Sequence, residues 1–300
     1  MQTHDVIVVG GSFAGLSAAL TLGRARLDVL VIDAGLPRNR YASASHGFLG
    51  ADGDNPAAIL ERARAQLAPY RGVRMQAGQA ASARRGDEGG FVVEMENGET
   101  ARAGRLVLAT GVTDILPDVP GLAARWGESV IHCPFCHGYE FGGGPLGVLA
   151  SKPVSLMQAR IIPQWGPTTL FVNGAVEIGA EDRADLLARG VSLEETPVAA
   201  LEGKGQTVEA VRLVDGRAIP IVGLYVAPEL EMTSGLATDL GCTTDETPLG
   251  RFVTVGEDRQ TSVPGVYAVG DMARMQHAVT LAVADGFIAA TSIVHSRMFG

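Results

Sequence analysis

Only three cysteines occur in 300 residues, too few for the even-numbered disulfide framework that holds a small secreted domain together, so paired cysteines here are expected to do chemistry. Cys242 is the odd one out and reads as a buried small residue. Positive charge is also short: 24 Lys and Arg stand against 33 Asp and Glu, a formal charge of -9. An acidic surface repels nucleic acid and anionic lipid, so neither is an expected partner. The first residues, Met1-Gln2-Thr3-His4-Asp5, hold no basic stretch, and no hydrophobic segment reads as long enough to span a bilayer, so a cytoplasmic protein is expected. What the chain does have is 46% hydrophobic content, enough for a sizeable core and for two modest domains.

Asp5 to Val9 is a short β-branched run bounded by glycine, the pattern of a strand buried on both faces. A helix is expected from Ala14 to Arg26, and a second buried strand from Asp28 to Ile32. Strand, glycine turn, helix and strand within thirty residues make a βαβ unit. Phe91 to Met95 and Thr100 to Ala109 read as strands joined at Asn97-Gly98, a hairpin-turn signal. Pro117, Pro120 and Gly121 break periodicity between Asp114 and Gly121, which suits a linker. Apolar runs at Pro145 to Ala150, Thr168 to Val172 and Val222 to Ala227 give the following stretch an α/β pattern too. The chain then returns through strands at Gly250 to Val255 and Gly265 to Gly270, and ends in a helix from His277 to about His295.

Gly10-Gly11-Ser12-Phe13-Ala14-Gly15 lies between the first strand and the first helix, where a tight turn lets a pyrophosphate reach free N–H groups at the helix N-terminus. Ser12 replaces the middle glycine of the usual pattern and still offers its N–H and hydroxyl. Asp33 ends the second strand 23 residues after Gly10, where a carboxylate takes the hydroxyls of an adenosine ribose; a turn cap is the alternative. The acid argues against a 2′-phosphate, leaving FAD or NAD. Val266-Tyr267-Ala268-Val269-Gly270-Asp271, a strand ending in Gly-Asp before a helix, favours FAD, because a helix N-terminus stabilises reduced, anionic flavin.

Cys133-Pro134-Phe135-Cys136-His137 spaces two thiols so that one can form a mixed disulfide and the other resolve it. Half a zinc site is the alternative, and it lacks two further soft ligands at matching spacing. His137 is a candidate acid/base, or an ordinary turn histidine. Phe135 and Tyr139 shape a substrate groove or pack locally. Trp165 and Phe171 are expected in the core rather than against a substrate.

Across essentially its whole length the chain resembles the low-molecular-weight thioredoxin reductases, on Gly10 to Gly15, Ala109-Thr110-Gly111, the Cys133/Cys136 pair and Gly265 to Asp271. The resemblance implies an α/β fold of two Rossmann-like dinucleotide-binding-type domains. An FAD domain of residues 1–115 and 244–300 would be interrupted by a smaller NAD(P)H-type domain, 116–243, carrying the cysteines, and the protein would be a homodimer. It also implies that Cys136 lies next to the flavin and that Cys133 meets the outside substrate. Ala34 and Gly35 after the ribose-binding acid, Thr110, Gly111, Gly270, Asp271, His277 and Ala278 would contact the cofactor. Arg38, Asn39 and His46 lie in the loop that passes the flavin in that family, or are ordinary loop residues.

Two departures bear on direction. Leu149-Ala150-Ser151-Lys152-Pro153-Val154 stands where an NADPH-using member has a glycine-rich turn, and Phe171-Val172-Asn173-Gly174-Ala175-Val176-Glu177 has no arginine for a 2′-phosphate, which disfavours NADPH. Together with Cys-Pro-Phe-Cys-His-Gly-Tyr-Glu, these resemble the branch of the gliotoxin and holomycin dithiol oxidases, which use FAD and oxygen. The expected partner is then a small-molecule or peptide dithiol, with His137, helped by His277 or His46, taking protons. The alternatives are a reductase of a thioredoxin-like disulfide fed by NADPH, ferredoxin or another donor, and a non-catalytic flavin redox sensor.

Overall fold

The structure, a computed structural model, describes residues 2–299. It divides into two compact units, one of Met1–Arg38, Ala57–Thr113 and Glu231–Gly300, the other of Asn39–Pro56 and Asp114–Leu230.

The first unit opens with β1 (Gln2–Val9), α1 (Phe13–Arg24) and β2 (Val29–Asp33), followed by α2 (Pro56–Ala65), β3 (Val73–Ala77), β4 (Ala80–Arg85), β5 (Phe91–Met95), β6 (Thr100–Leu108) and β7 (Val112–Ile115). Val6, Ile7 and Val8 are wholly buried because β1 lies at the centre of the sheet, parallel to β2 on one side and β6 on the other. The strand order is β3-β2-β1-β6-β5-β4. The helix after β1 ends at Arg24, two residues before the expected end. Arg26 takes a left-handed conformation (φ 64°), which turns the chain into β2 and cannot continue a helix. The turn around Asn97-Gly98 joins the antiparallel β5 and β6, with Gly98 at φ 83°.

The second unit runs through β8 (Val130–Ile131), α3 (Pro134–His137), β9 (Leu146–Leu149), α4 (Val154–Ile161), β10 (Thr168–Phe171), α5 (Ala180–Ala188), β11 (Ser192–Glu194), β12 (Val198–Glu202), β13 (Ala210–Leu213), β14 (Ala218–Pro220) and β15 (Gly223–Val226). Its parallel sheet has the order β11-β10-β9-β15-β8, and β12-β13-β14 form a separate antiparallel sheet. Apolar clusters cover both faces of the parallel sheet: Leu149, Phe171 and Val226 belong to one, Leu146, Val148 and Tyr225 to the other. Phe171 is a core residue as expected, with no exposure. Arg125 is buried too, and its guanidinium donates to the carbonyls of Gly121, Gly203 and Thr207, so its hydrogen-bonding potential is met without an acid.

The chain then enters β16 (Glu229–Met232), α6 (Leu236–Asp239), β17 (Thr244–Thr247), β18 (Gly250–Val253), β19 (Val266–Ala268) and α7 (Val279–Phe299). β6 is long enough to pair with β5 along Thr100–Ala103 and with β19 along Leu106–Leu108.

The second unit's long segment starts at Asp114, two residues before the expected 116, and the boundaries differ more widely at two other places. Residues 39–56 group with the second unit, tied there by the Ser43 amide and hydroxyl on the Glu128 carboxylate and by Gly127, whose Cβ would strike Tyr41 at 2.6 Å. Residues 231–243 group with the first unit. There Thr233 donates its N–H to the Gly111 carbonyl and Ser234 its hydroxyl to Thr110.

The expectation of no bilayer-length apolar segment is also corrected. α7 is 21 residues long with mean hydropathy 1.4, enough by length and composition to cross a membrane. Alanine, valine and isoleucine outweigh its scattered polar residues. In the first unit, however, it packs on α1: Gly286 lies so close that a Cβ would stand 2.1 Å from the Ala14 carbonyl oxygen, and Ala289, Ala290 and Ile293 are buried.

Candidate active site

The first unit builds a cradle from three absences of a side chain. A Cβ on Gly10 would lie 2.2 Å from the Ala109 carbonyl oxygen, one on Gly11 would strike the Asp33 side chain, and one on Gly15 would lie 1.8 Å from the Gly10 carbonyl oxygen. The turn therefore closes tightly between β1 and α1, and Gly10 needs its φ of 109° to make it. Ser12 is the N-cap of α1 in extended conformation and makes no side-chain cap bond; Phe13, Ala14 and Gly15 open the helix, with no acid in its first turn. Nothing of the helix's own thus competes for an anion there.

Asp33, at the end of β2, accepts the N–H of Gly11 (3.1 Å) and of Gly35 (3.2 Å) on Oδ1, which turns Ala34 and Gly35 away to the surface. Its other oxygen accepts from Arg64 of α2 at 3.1 Å. Arg64 escaped the sequence reading because nothing in its spacing ties it to Asp33.

A second group lies after β6 and β19. Thr110 donates to the Met272 sulfur, Gly111 follows at φ 68° with open space where a Cβ would be, and Gly270 sits at φ 74°. Arg38 donates from Nη1 to Asp271 (2.8 Å) and to Nδ1 of His277 (2.7 Å), while Nε2 of His277 meets the Arg274 carbonyl (3.0 Å). An arginine only donates, so Nδ1 accepts and the proton of His277 sits on Nε2. Ala278 follows at the entry to α7, its carbonyl accepting from Ala282.

Beneath this group lies Asp285, wholly buried in α7, accepting the Gly270 N–H and pairing with Arg259 and Arg274. It too was missed, although a lone acid amid small apolar helix residues is a signal, since such a group is seldom buried unpaired. Backbone freedom, an uncapped helix and a carboxylate at the strand end fit the pyrophosphate and ribose of FAD.

The second unit holds the thiols. Cys133 caps α3 in extended conformation, Pro134 occupies the first helical position, and the Cys136 N–H donates back to the Cys133 carbonyl. The single turn is pressed against Trp165, whose ring would be 2.5 Å from a Cβ on Gly138. Trp165 meets Phe135 edge-on at 5.3 Å while packing on the core, so it serves core and surface alike. Phe135 and Tyr139 are exposed, and with Trp165, His46, Asp52 and Glu140 they line a cleft of about 290 Å³.

His46 meets His137 edge-on at 5.3 Å and carries Glu140 and Asp52 carboxylate oxygens 3.5 and 3.7 Å from its Nδ1. Burial, and then the charge of His46, hold His137 below its ordinary value, against the opposing pull of Glu140 and Glu128. His137 is therefore neutral near pH 7 and able to accept a proton. Asn39 and His46 belong to this second unit, whereas Arg38, Asp271 and His277 converge in the first. Cys242 is buried and donates to Thr261, its thiol pushed up by burial.

The corresponding turn after β9 is built differently from the one after β1. The Ser151 N–H is taken by the wholly buried Ser155 hydroxyl (3.2 Å), the Ser151 hydroxyl by the Ala227 carbonyl (2.7 Å), and Pro153 stands at the N-cap of α4. After β10, Asn173 spends its side-chain oxygen on the Val198 N–H, and no basic residue stands between Val172 and Glu177.

An anion cradle on one Rossmann-like sheet and a Cys-x-x-Cys turn on another define a disulfide oxidoreductase that binds FAD. The chain belongs to the pyridine nucleotide-disulphide oxidoreductase family, whose sequence profile matches residues 4–286. Within it the relatives are thioredoxin reductase-like flavoproteins. One is the thioredoxin reductase tcpT of Claviceps purpurea, 33% identical over 298 residues and covering 95% of this chain and 91% of that one. Among solved structures, an oxidoreductase from Agrobacterium tumefaciens is 45% identical with TM-score 0.94, covering 100% of this chain and 99% of that one. HlmI is 36% identical with TM-score 0.92, covering 98% and 92%.

Proposed function

We propose that the protein is an FAD-dependent dithiol oxidase. The observation that carries this reading is the turn after β9, closed by Ser155 and Pro153 where a nicotinamide donor would bind, alongside thiols flanked by a histidine held neutral. In the proposed reaction a substrate thiolate attacks Cys133 of the oxidised pair. The Cys133–Cys136 bond breaks and its electron pair leaves on Cys136. The second substrate thiolate then attacks the substrate sulfur of the mixed disulfide, closing the product disulfide and leaving its electron pair on Cys133. His137 accepts a proton from an entering thiol, since the thiolate is the reactive form.

When bound, FAD would supply a two-electron acceptor, with oxygen as the final acceptor, reduced to hydrogen peroxide. For FAD we assign Gly10, Gly11, Ser12, Phe13, Ala14 and Gly15 to the pyrophosphate and Asp33, Ala34 and Gly35 to the ribose. Ala109, Thr110, Gly111, Gly270, Asp271, His277, Ala278 and Arg38 are assigned to the rest of the cofactor. On the same reading the first unit is the FAD domain and the second a degenerate NAD(P)H-type domain. The aromatic wall of Phe135, Tyr139 and Trp165 suits a small-molecule or peptide dithiol, and the protein is a cytoplasmic homodimer.

The test is oxygen uptake on adding a model dithiol, with the same preparation mixed with NADPH in a stopped-flow cell. Oxygen consumption with flavin that stays yellow under NADPH is expected. Rapid bleaching by NADPH without oxygen uptake would instead mark a thioredoxin-like disulfide as substrate, the reading favoured by the name thioredoxin reductase carried by tcpT.

A further inference from the structure

The cleft beside the cysteine turn has, besides its aromatic wall, two carboxylates that the proposed reaction leaves without a task. Pro134 and Phe135, the residues between the two cysteines, belong to its lining, so whatever enters it lies next to the thiols. Phe135 and Tyr139 hold 75% and 87% of their surface in solvent, and large aromatics exposed together mark a surface that a ligand covers. Asp52 and Glu140 stand on the same lining, which includes no Lys or Arg. Neither carboxylate pairs with a Lys or Arg elsewhere among the described residues. Their shared neighbour is Nδ1 of His46, 3.7 Å from Asp52 and 3.5 Å from Glu140. One ring nitrogen at those distances cannot use the acceptor capacity of two carboxylates. Asp52 is set in place by its own loop: the Gly47 N–H donates to its Oδ1 (2.8 Å), and the Ser45 and Gly53 N–H groups close the loop on the carbonyls of Asp54 and Ser45. The unit around the cleft has the same bias. It holds nine Lys and Arg against 16 Asp and Glu, a formal charge of -7, whereas the first unit holds 15 against 17. A cleft in such a surface focuses the field and draws cations to itself.

We propose that this cleft selects dithiols carrying a positive charge, an ammonium or guanidinium group, over neutral and anionic ones; this rests on the reading of Cys133 and Cys136 as the redox pair. A cation set against Asp52 and Glu140 gains charge-assisted hydrogen bonds, and the rings of Phe135, Tyr139 and Trp165 add cation–π attraction for the same group. An anionic dithiol meets two like charges, with His46 the one group on the lining able to oppose them. The Asp52 side chain is 70% exposed, so its pull is screened and modest. Selection by charge acts on entry of the dithiol, before any sulfur–sulfur bond forms or breaks.

The test uses three dithiols on one carbon frame: dithiobutylamine, a cation at neutral pH, its neutral N-acetyl derivative and its anionic N-succinyl derivative. Each is mixed without oxygen with the oxidised holoenzyme, and chromatography follows its conversion to the cyclic disulfide, whichever protein group then holds the electrons. Each second-order rate is divided by that of the same dithiol with hydroxyethyl disulfide, which removes differences in thiol acidity. The corrected rates should fall in the order cation, neutral, anion, with roughly a three- to tenfold step between the first two, as for a partly exposed charge pair and a cation–π contact. Salt at about 0.5 M should flatten the series. Asp52→Asn keeps an acceptor for the Gly47 N–H and removes the charge, so the cation-to-neutral ratio should fall by roughly twofold, and Asp52→Lys should lower it further. Because a ratio is read, a general loss of rate in either variant does not imitate the effect. Equal corrected rates for the three dithiols, or a ratio that Asp52→Lys leaves where it was, would overturn the proposal. A pair that none of the three dithiols reduces would instead defeat the redox reading, and this inference with it.

Discussion

The two strand–helix turns, Val9 to Gly15 in the first unit and Leu149 to Ser155 in the second, are built on the same parallel topology and end in opposite chemistry. In the first, glycines bring backbone against backbone and the helix N-terminus is left without a cap of its own. In the second, a buried serine hydroxyl and a proline fill that position. Topology therefore provides the location for a nucleotide, while two or three side chains decide whether one can enter. On the proposed reading the second unit keeps the sheet and loses that use of it, its chemistry being assigned instead to the cysteine turn that follows β8.

The contrast is tested most severely by separating thiol chemistry from cofactor retention. Cys136→Ser should lower dithiol turnover by roughly a thousandfold or more, because the electron pair has no resolving sulfur to leave on. The visible flavin spectrum should survive, since the cradle is in the other unit. Loss of flavin together with turnover would break the assignment of separate tasks. The reciprocal change is Gly15→Val in the first turn. Its Cβ would stand 1.8 Å from a backbone oxygen, so the purified variant should be colourless or retain only a small fraction of its flavin, with the absorbance ratio at the flavin and protein bands as the measurement.

A smaller effect is expected in the second turn. Ser155→Ala leaves the Ser151 N–H without its acceptor, which should destabilise the unit by about 1–2 kcal/mol and lower the melting midpoint by roughly 2–4 °C in a chain of this size. It should give no NADPH bleaching, because Pro153 and the Asn173 contact remain. NADPH reduction gained by this single change would show that the second turn is a blocked site rather than an abandoned one.

Much of this was legible in the sequence because it depends on local patterns. The β1–α1 turn, Asp33 and the Cys133/Cys136 turn are each fixed by a run of a few residues. What escaped is long-range. Arg64 finds Asp33 across 31 positions and Asp285 finds Gly270 across 15, pairings set by helix placement that no periodicity encodes. The grouping of residues 39–56 with the second unit rests on the Ser43–Glu128 tie, again distant in sequence. The same tie explains why His46, read as a flavin-loop residue, stands against His137.

That pairing yields the finest test. His137 must be neutral to take a proton, and burial first, then the charge of His46, hold it below its ordinary value. His46→Asn removes the charge and opens some of the burial, and both changes move His137 upward. The acid limb of the kcat/KM profile for dithiol oxidation should therefore shift to higher pH, slowing the reaction near pH 6 and leaving it nearly unchanged near pH 8. Glu140→Gln should act with the opposite sign, because the Glu140 carboxylate raises His137, and its limb should move to lower pH. Two shifts of the same sign would mean that His137 is not the proton acceptor, whereas opposite shifts tie the limb to it and to the histidine brought beside it by residues 39–56.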